Sequence, residues 1–275
     1  MKTMIDTQAE NWLADLAPHV VALAREAGQA ILKVYEETDP AVDYKVDNSP
    51  LTQADLASHG VILNGLAHLS PEWPALSEES AEVPFERRKS WRYFWMIDPL
   101  DGTKEFLKRS GEFTVNIALM EASTPILGVV FAPVFQKMYF AAKNTGAYRA
   151  DGEMVTRIRT RADGNGTVRT LMSRSHREQE DELERFAGAS EKREFISMGS
   201  SLKFCLIAEG AADVYPRLGP TMEWDTAAAQ CILEEAGGRM TDLEGNPMKY
   251  NKPQLRNPGF LAQGGCCSIG AVSQP

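Results

Sequence analysis

The chain has 275 residues, 43% of them hydrophobic and 24% charged, and carries a net charge of −9. This is a folded chain with a sizeable core, arranged as one large domain or two closely joined ones, and the composition excludes disorder. The negative charge disfavours nucleic acid or an anionic membrane as a bulk electrostatic partner, so a phosphate ligand would need local cations or bound metal to receive it.

The opening residues lack the apolar centre of a signal peptide, and no stretch approaches the ~18 apolar residues of a membrane span. None of Cys205, Cys231, Cys266 and Cys267 has C-x-x-C spacing, and the adjacent pair Cys266-Cys267 reads as reduced thiols. The expected location is the cytoplasm.

In chain order, residues 11–37 read as one amphipathic helix, with Leu13, Leu16, Val20, Leu23, Ala27, Ile31 and Val34 recurring every three or four positions. Residues 38–50 are polar and hold two prolines, which leaves a loop or a short hairpin. A second helix starts near Thr52, with Asp55 placed for a capping interaction, and runs to about Leu69 before Pro71 and Pro74. Then the period changes. Residues 93–97 form a buried strand, and Phe113, Val115, Ile117 and Leu119 alternate with Thr114, Asn116 and Ala118. Strands follow at 126–134 and 138–142, with a hairpin turn at Asp151-Gly152. The second half alternates: strand 168–173, helix 178–187, strand 194–198, helix 201–209, strand 212–215, helix 226–236 and strand 260–262. The 156–166 segment, rich in Arg, Asp and Gly, reads as a connector. The expected units are an N-terminal α+β metal-binding domain, 1–156, and a C-terminal α/β substrate-binding domain, 157–275.

The run Asp98-Pro99-Leu100-Asp101-Gly102-Thr103 ends an apolar strand in two carboxylates. Pro99 lacks an N–H and fixes φ, so a turn is expected there that brings both acids to one point. Gly102 lets the backbone approach an anion, and Thr103 adds a hydroxyl. Asp98, Asp101 and the Leu100 carbonyl are the oxygen donors a hard divalent ion prefers. Alone, the run is an ordinary Asp-Gly turn. Other acids sit in matching contexts: Glu78 and Glu79 after a strand end, Asp225 before an Ala-rich helix, and Asp55 at a helix start. Each also has a plain account, as solvated loop, helix cap or first-turn charge.

Together WMIDPLDGTKEF, LSEES and EWDTAAAQCILEEAGG resemble the three signature regions of the inositol monophosphatase superfamily, and the resemblance spans SPLTQAD to NPGFLAQG. It implies the layered αβαβα sugar-phosphatase fold, with N-terminal helices on an antiparallel sheet followed by a smaller α/β unit. It also implies a Mg²⁺-dependent, Li⁺-sensitive phosphomonoesterase. By position it implies Glu78, Asp98, Leu100 (through its carbonyl), Asp101 and Asp225 as metal ligands, Asp98 bridging two ions and Glu79 secondary to Glu78. Asp55 and Thr103 would form a dyad that polarises the attacking water, with Glu78 also in the catalytic set. This agrees with physical chemistry: a divalent ion lowers the pKa of water, and a second one ~3.5–4 Å away stabilises the leaving oxygen. The amides of Gly102 and Thr103 would hold phosphate oxygens.

Asp-Gly-Thr continues as Lys104-Glu105-Phe106, where inositol monophosphatases more usually have Thr-Asn-Phe. Residues 199–210 and 212–217, with Ser173-Arg174-Ser175-His176, resemble the bacterial sulfur-assimilation 3′(2′),5′-bisphosphate nucleotidases. The resemblance implies hydrolysis of adenosine 3′,5′-bisphosphate to AMP and phosphate. A second phosphate that is not hydrolysed must still be paired. Lys203 and Arg217 suit it, Ser200 adds a donor, and Lys104 and His176 join the substrate set. The plain alternative for Lys203 is an exposed helix lysine, and His176 has a similar one. Competing readings are an inositol or sugar phosphatase and a non-catalytic metal- or nucleotide-sensing regulator on the same fold. An RNA-binding protein would need a basic stripe with interleaved aromatics, and the aromatics here lie in apolar strand runs. The partner is thus a small-molecule phosphate ester and not nucleic acid; a homodimer and a weak peripheral membrane association stay open.

Overall fold

The computed structural model describes residues 4–37, 42–44, 50–80, 82–162, 166–174 and 192–265. The first apolar repeat winds α1 (Met4–Tyr35), whose buried stripe is Leu13, Ala17, Val20, Leu23, Ala24, Ala27 and Ile31. Each large aliphatic side chain removed from water in this way contributes about 1.5–3 kcal/mol. Of the two options open for 38–50, the hairpin forms: β1 (Val42–Tyr44) pairs antiparallel with β2 (Pro50–Thr52). Helix α2 (Gln53–Leu69) opens in the capping arrangement, with Thr52 Oγ1 accepting from Ala54 N and Asp55 accepting from Thr52 N.

A seven-stranded sheet follows in sequential order, with the short helices α3 (Phe85–Arg88) and α4 (Thr103–Leu107) between its strands. Its strands are β3 (Ala75–Ser77), β4 (Tyr93–Asp101), β5 (Thr114–Glu121), β6 (Thr124–Ala132), β7 (Lys137–Ala142), β8 (Gly146–Asp151) and β9 (Met154–Ile158). All neighbours are antiparallel except β3 and β4. The sheet extends past residue 156, so the segment read as a connector begins as a strand.

The five-stranded sheet is mixed, in the order β11–β10–β12–β14–β13. It comprises β10 (Thr167–Ser173), β11 (Lys192–Met198), β12 (Val214–Arg217), β13 (Arg239–Asp242) and β14 (Phe260–Gln263). Helices α5 (Leu202–Ala208) and α6 (Ala227–Glu235) belong to the same half, and a 3₁₀ turn, Glu223–Asp225, leads into α6. The strand expected at 212–215 lies two residues later, because Asp213 is held at the strand's entrance by Arg161 and Arg169. The helix expected at 178–187, His176 and the pair Cys266-Cys267 lie outside the described residues.

Strand alternation explains the layering. In β4, β5 and β6 one side-chain set (Trp95, Ile97, Val115, Ile117, Leu119, Val129, Phe131) packs with α1 and α2. The opposite set (Phe94, Met96, Ala118, Met120, Val130) packs with α5, α6 and the second sheet. Both faces are apolar because both are covered, which makes these strands read as continuous hydrophobic runs. The described layers run helices, seven strands, helices, five strands, which are four of the five layers of the αβαβα expectation; the helix expected at 178–187 lies outside the described residues. No described helix is long and apolar enough to cross a membrane.

Candidate metal and phosphate site

The acidic run lies where β4 ends, but the expected turn at Pro99 is not there. The strand continues to Asp101, and its register against β5 slips: Asp98 pairs with Asn116 and Asp101 with Thr114. Three steps on β4 thus face two on β5, a bulge of one residue, which is a place where a strand tolerates proline. The physical consequence is the one the turn was meant to have. Residues three apart on a regular strand point to opposite faces. The extra residue cancels this, and both carboxylates line one cavity of about 330 Å³. Ser58 Oγ secures the bulge by donating to Pro99 O at 2.7 Å. Gly102, at φ +93°, then turns the chain into α4.

The same cavity collects Glu78, Leu100, Thr103, Lys104, Ser200, Lys203, Arg217 and Asp225. Glu78 follows β3, and its N–H bonds to Ile97 O of β4. Asp225 closes the 3₁₀ turn by accepting from Met222 N at 2.8 Å. It is not the cap of α6, whose N-cap is Thr226.

The carboxylates repel one another. Burial, followed by the charges of Glu78, Asp101, Asp225 and Asp55, pushes Asp98 well above the usual carboxylate range. Asp225 is pushed up by burial and then by Asp101. Asp101 is raised by burial, while Lys203 and the Ser201 hydroxyl restrain it. A divalent cation among these all-oxygen donors would reverse that penalty, so the donor set fits a hard ion such as Mg²⁺. Among the described residues, however, no three His, Cys, Asp or Glu groups already close into a cage. Each acid is partly engaged with the protein: Asp98 Oδ1 with Leu100 N at 3.1 Å, Asp101 Oδ2 with Ser201 Oγ at 2.7 Å, and Asp225 as above.

The dyad expectation needs correction in geometry. Asp55 takes both its hydrogen bonds on Oδ2, from Thr52 N at 2.8 Å and Thr52 Oγ1 at 2.6 Å. Thr103 Oγ1 donates to Leu100 O at a long 3.4 Å. The two side chains are not hydrogen-bonded to each other, and Asp55 does not line the cavity. The reason is local: the capping box that marks the start of α2 uses the carboxylate that the resemblance assigns to catalysis. Burial raises Asp55 to about 6, against the lowering effect of the Thr52 bonds.

On the other side of the chemistry stand the cations. Lys203 is buried rather than on the surface; its Nζ donates to Ser200 O at 2.6 Å and Met198 O at 3.3 Å, and lies 5.0 Å from the Tyr215 ring centre. Burial lowers it to about 8, with Asp101 opposing and Arg217 assisting. Arg217 is also buried, and its Nε has no partner; the Ser200 hydroxyl is likewise buried and unpartnered. Ser200 sits at φ +47°, a left-handed conformation costing a non-glycine residue about 1–2 kcal/mol. Buried donors left open beside a cavity suit an anionic ligand. Lys104 is exposed at the rim.

Sequence reasoning missed Ser201 and Asn116. Asn116 Nδ2 donates to Ser201 Oγ at 2.9 Å, and that hydroxyl lies 2.6 Å from Asp225 O as well as beside Asp101. The only available signal was Asn116 as a polar residue inside an apolar strand.

Against known proteins, the inositol monophosphatase family model matches residues 12–267. The 3′(2′),5′-bisphosphate nucleotidase CysQ of Escherichia coli (strain K12) is 47% identical over 243 residues, 88% of this chain and 96% of that protein. Its counterpart in Haemophilus influenzae is 35% identical over 251 residues, covering 90% and 93%. The crystal structure of CysQ from Bacteroides thetaiotaomicron has a TM-score of 0.79 at 41% identity, covering 90% of this chain and 97% of that one. An inositol monophosphatase from Anabaena reaches 0.70 at 24% identity, a likeness of fold alone.

Proposed function

The chain belongs to the inositol monophosphatase family, and we propose that it is a Mg²⁺-dependent 3′(2′),5′-bisphosphate nucleotidase that converts adenosine 3′,5′-bisphosphate to AMP and phosphate. The observation that carries this reading is the pairing of buried Lys203 and Arg217 in the same cavity as Glu78, Asp98, Asp101 and Asp225. A monophosphate ester needs only the acidic end. Two buried cations beyond it match a substrate with a second phosphate that is held and not cleaved. The name and extent of the relatives support the same substrate class.

In this reading Glu78, Asp98, Asp101, Asp225 and the Leu100 carbonyl would hold the metal. When bound, Mg²⁺ supplies charge for the phosphoryl oxygens and lowers the pKa of the attacking water. Lys203 and Arg217 pair the remote phosphate, and Ser200 Oγ donates to it. The amides of Gly102 and Thr103 orient the phosphoryl group being transferred. Thr103 Oγ1 exchanges its long bond to Leu100 O for one to Asp55, which accepts the proton taken from water. Asp55 must be ionised for this, so a value of about 6 leaves it competent near neutral pH.

The test is phosphate release from adenosine 3′,5′-bisphosphate and from inositol 1-phosphate, with Mg²⁺ and with chelator. The bisphosphate should be turned over more than about tenfold faster, and only with Mg²⁺. Equal rates would sink the nucleotide assignment and favour a general inositol or sugar phosphatase.

A further inference from the structure

We infer that Glu112 and Arg174, neither of which lines the cavity, are positioning residues that hold the Gly199–Ser200–Lys203 wall in its phosphate-receiving form. The inference rests on the proposed bisphosphate reading and specifies how the remote-phosphate end is built. Glu112 lies just before β5 and is almost fully buried. Its carboxylate is a hub: Arg174 Nε donates to Oε2 at 2.7 Å, Arg174 Nη2 to Oε1 at 2.5 Å, and Gly199 N to Oε2 at 2.8 Å. Arg174 Nη2 also reaches Ser197 O at 3.3 Å. The fork therefore joins the end of β10, the end of β11 and the loop into α5 to the segment that follows the acidic run.

Backbone packing says the same. A Cβ at Gly199 would stand 2.6 Å from Glu112 O, and one at Gly102 would stand 3.2 Å from that oxygen and 3.3 Å from Ser200 Cβ. The Glu112 main chain is thus wedged between the Gly102 loop and the Ser200 wall: a Cβ at Gly199 would clash with it, and at Gly102 the space is tight and φ is +93°. Ser200 at positive φ is strained, and strain persists only where neighbours over-determine it. Here the neighbours are the Glu112 bond to Gly199 N on one side and Lys203 Nζ on Ser200 O on the other. Releasing Gly199 would let Ser200 relax. Its unpartnered hydroxyl would turn away from the cavity, and Lys203 would lose its main anchor.

Two variants test this. Arg174→Ala removes a half-exposed side chain and keeps the fold, whereas Glu112→Ala removes the hub. Each should raise KM for adenosine 3′,5′-bisphosphate about tenfold, with kcat and the KM for 3′-AMP changed less than about threefold. Glu112→Gln, which can still accept from Gly199 N, should recover part of the loss. Loss of both substrates to the same degree would make the pair merely structural, and no change would overturn the inference. Amide exchange of residues 198–203 is read in parallel, and Glu112→Ala should accelerate Gly199. If the wild-type protein shows no preference for the bisphosphate, the substrate reading fails on its own. Unaltered Gly199 protection in Glu112→Ala would then overturn the clamp separately.

Discussion

Ser201 Oγ lies 2.7 Å from Asp101 Oδ2, so the residue that leads into α5 is bonded directly to the acidic loop at the end of β4. The two residues are 100 positions apart. Through this hydroxyl the helix carrying Lys203 and the loop carrying the carboxylates share one frame, and Asn116 Nδ2 completes it from β5. The distance between the carboxylates and Lys203 is therefore set by the protein itself.

Ser201→Ala should be costly in two ways. It strips Asn116 Nδ2 and Asp101 of a buried partner, a loss of about 1–3 kcal/mol for unsatisfied groups. It also frees Asp101 to rotate, which should weaken Mg²⁺ activation. Urea unfolding and a Mg²⁺ titration of turnover measure the two effects. Wild-type stability in the variant would show that the hydroxyl is dispensable.

Asp98→Asn should abolish turnover and yet raise the melting temperature of the chelator-treated protein. Burial and four neighbouring carboxylates raise Asp98, so the folded state holds a proton there that the unfolded chain has released. Its ionised form then opposes folding increasingly as pH rises above the ordinary carboxylate value. The amide retains the bond from Leu100 N and removes the charge. Mg²⁺ at about 100 times its Kd should stabilise the wild type by roughly 2.7 kcal/mol and the variant far less. Melting curves with chelator and with Mg²⁺ decide this, and a lower metal-free melting point for Asp98→Asn would contradict it.

Asp55 should prove doubly employed, and Thr52 separates its roles. Asp55→Asn should cut kcat by about 10²–10⁴, the range for loss of a general base. Thr52→Ala should cost about 1 kcal/mol of stability through the broken cap at α2 while leaving kcat within a few-fold. Thr103→Ala should match Asp55→Asn in kcat, and the double variant should add little. Additive losses in a double-variant cycle would dissolve the dyad.

Lys203, at about 8, should impose an alkaline limb on bisphosphate kcat/KM. Below that value the side chain is a cation and, in the proposed reading, would pair the remote phosphate; above it the charge is lost, and kcat/KM should fall about tenfold per pH unit. The stability effect has the opposite sense. Between about 8 and the ordinary value of 10.5 the unfolded chain holds this proton more than the folded one, so the lysine opposes folding less as pH rises. Lys203→Arg, always charged, should remove the limb from the pH–rate profile. A limb that persists near 8 in that variant would assign it to another group.

The sequence by itself determined the parts whose physics is local. The 3.6-residue repeat of Leu13 to Ile31 needs only neighbouring turns to make an apolar stripe, and α1 follows it. Thr52 and Asp55, three residues apart, cap α2 through contacts within one turn. Asp98 and Asp101 read as candidate oxygen donors from their own run, whereas Glu78 and Asp225 joined them only through the family resemblance. Tertiary structure decided what depends on pairing and burial. The turn at Pro99 became a bulge because β4 had to stay registered with β5 on both sides of it. Lys203, which spacing alone left equally at home in solvent, is buried because α5 is sandwiched between two sheets. Asp55 is legible in two roles, and only the packed helix start shows which one holds its Oδ2. Ser201 and Glu112 carry no local signature of their roles, Asn116 shows only as a polar residue in an apolar strand, and nothing near Arg174 announces its bond to Glu112. The bonds Asn116–Ser201, Arg174–Glu112, Gly199–Glu112 and Ser201–Asp101 cross 62 to 100 residues of chain, and such contacts exist only after the two sheets have closed on the helices between them.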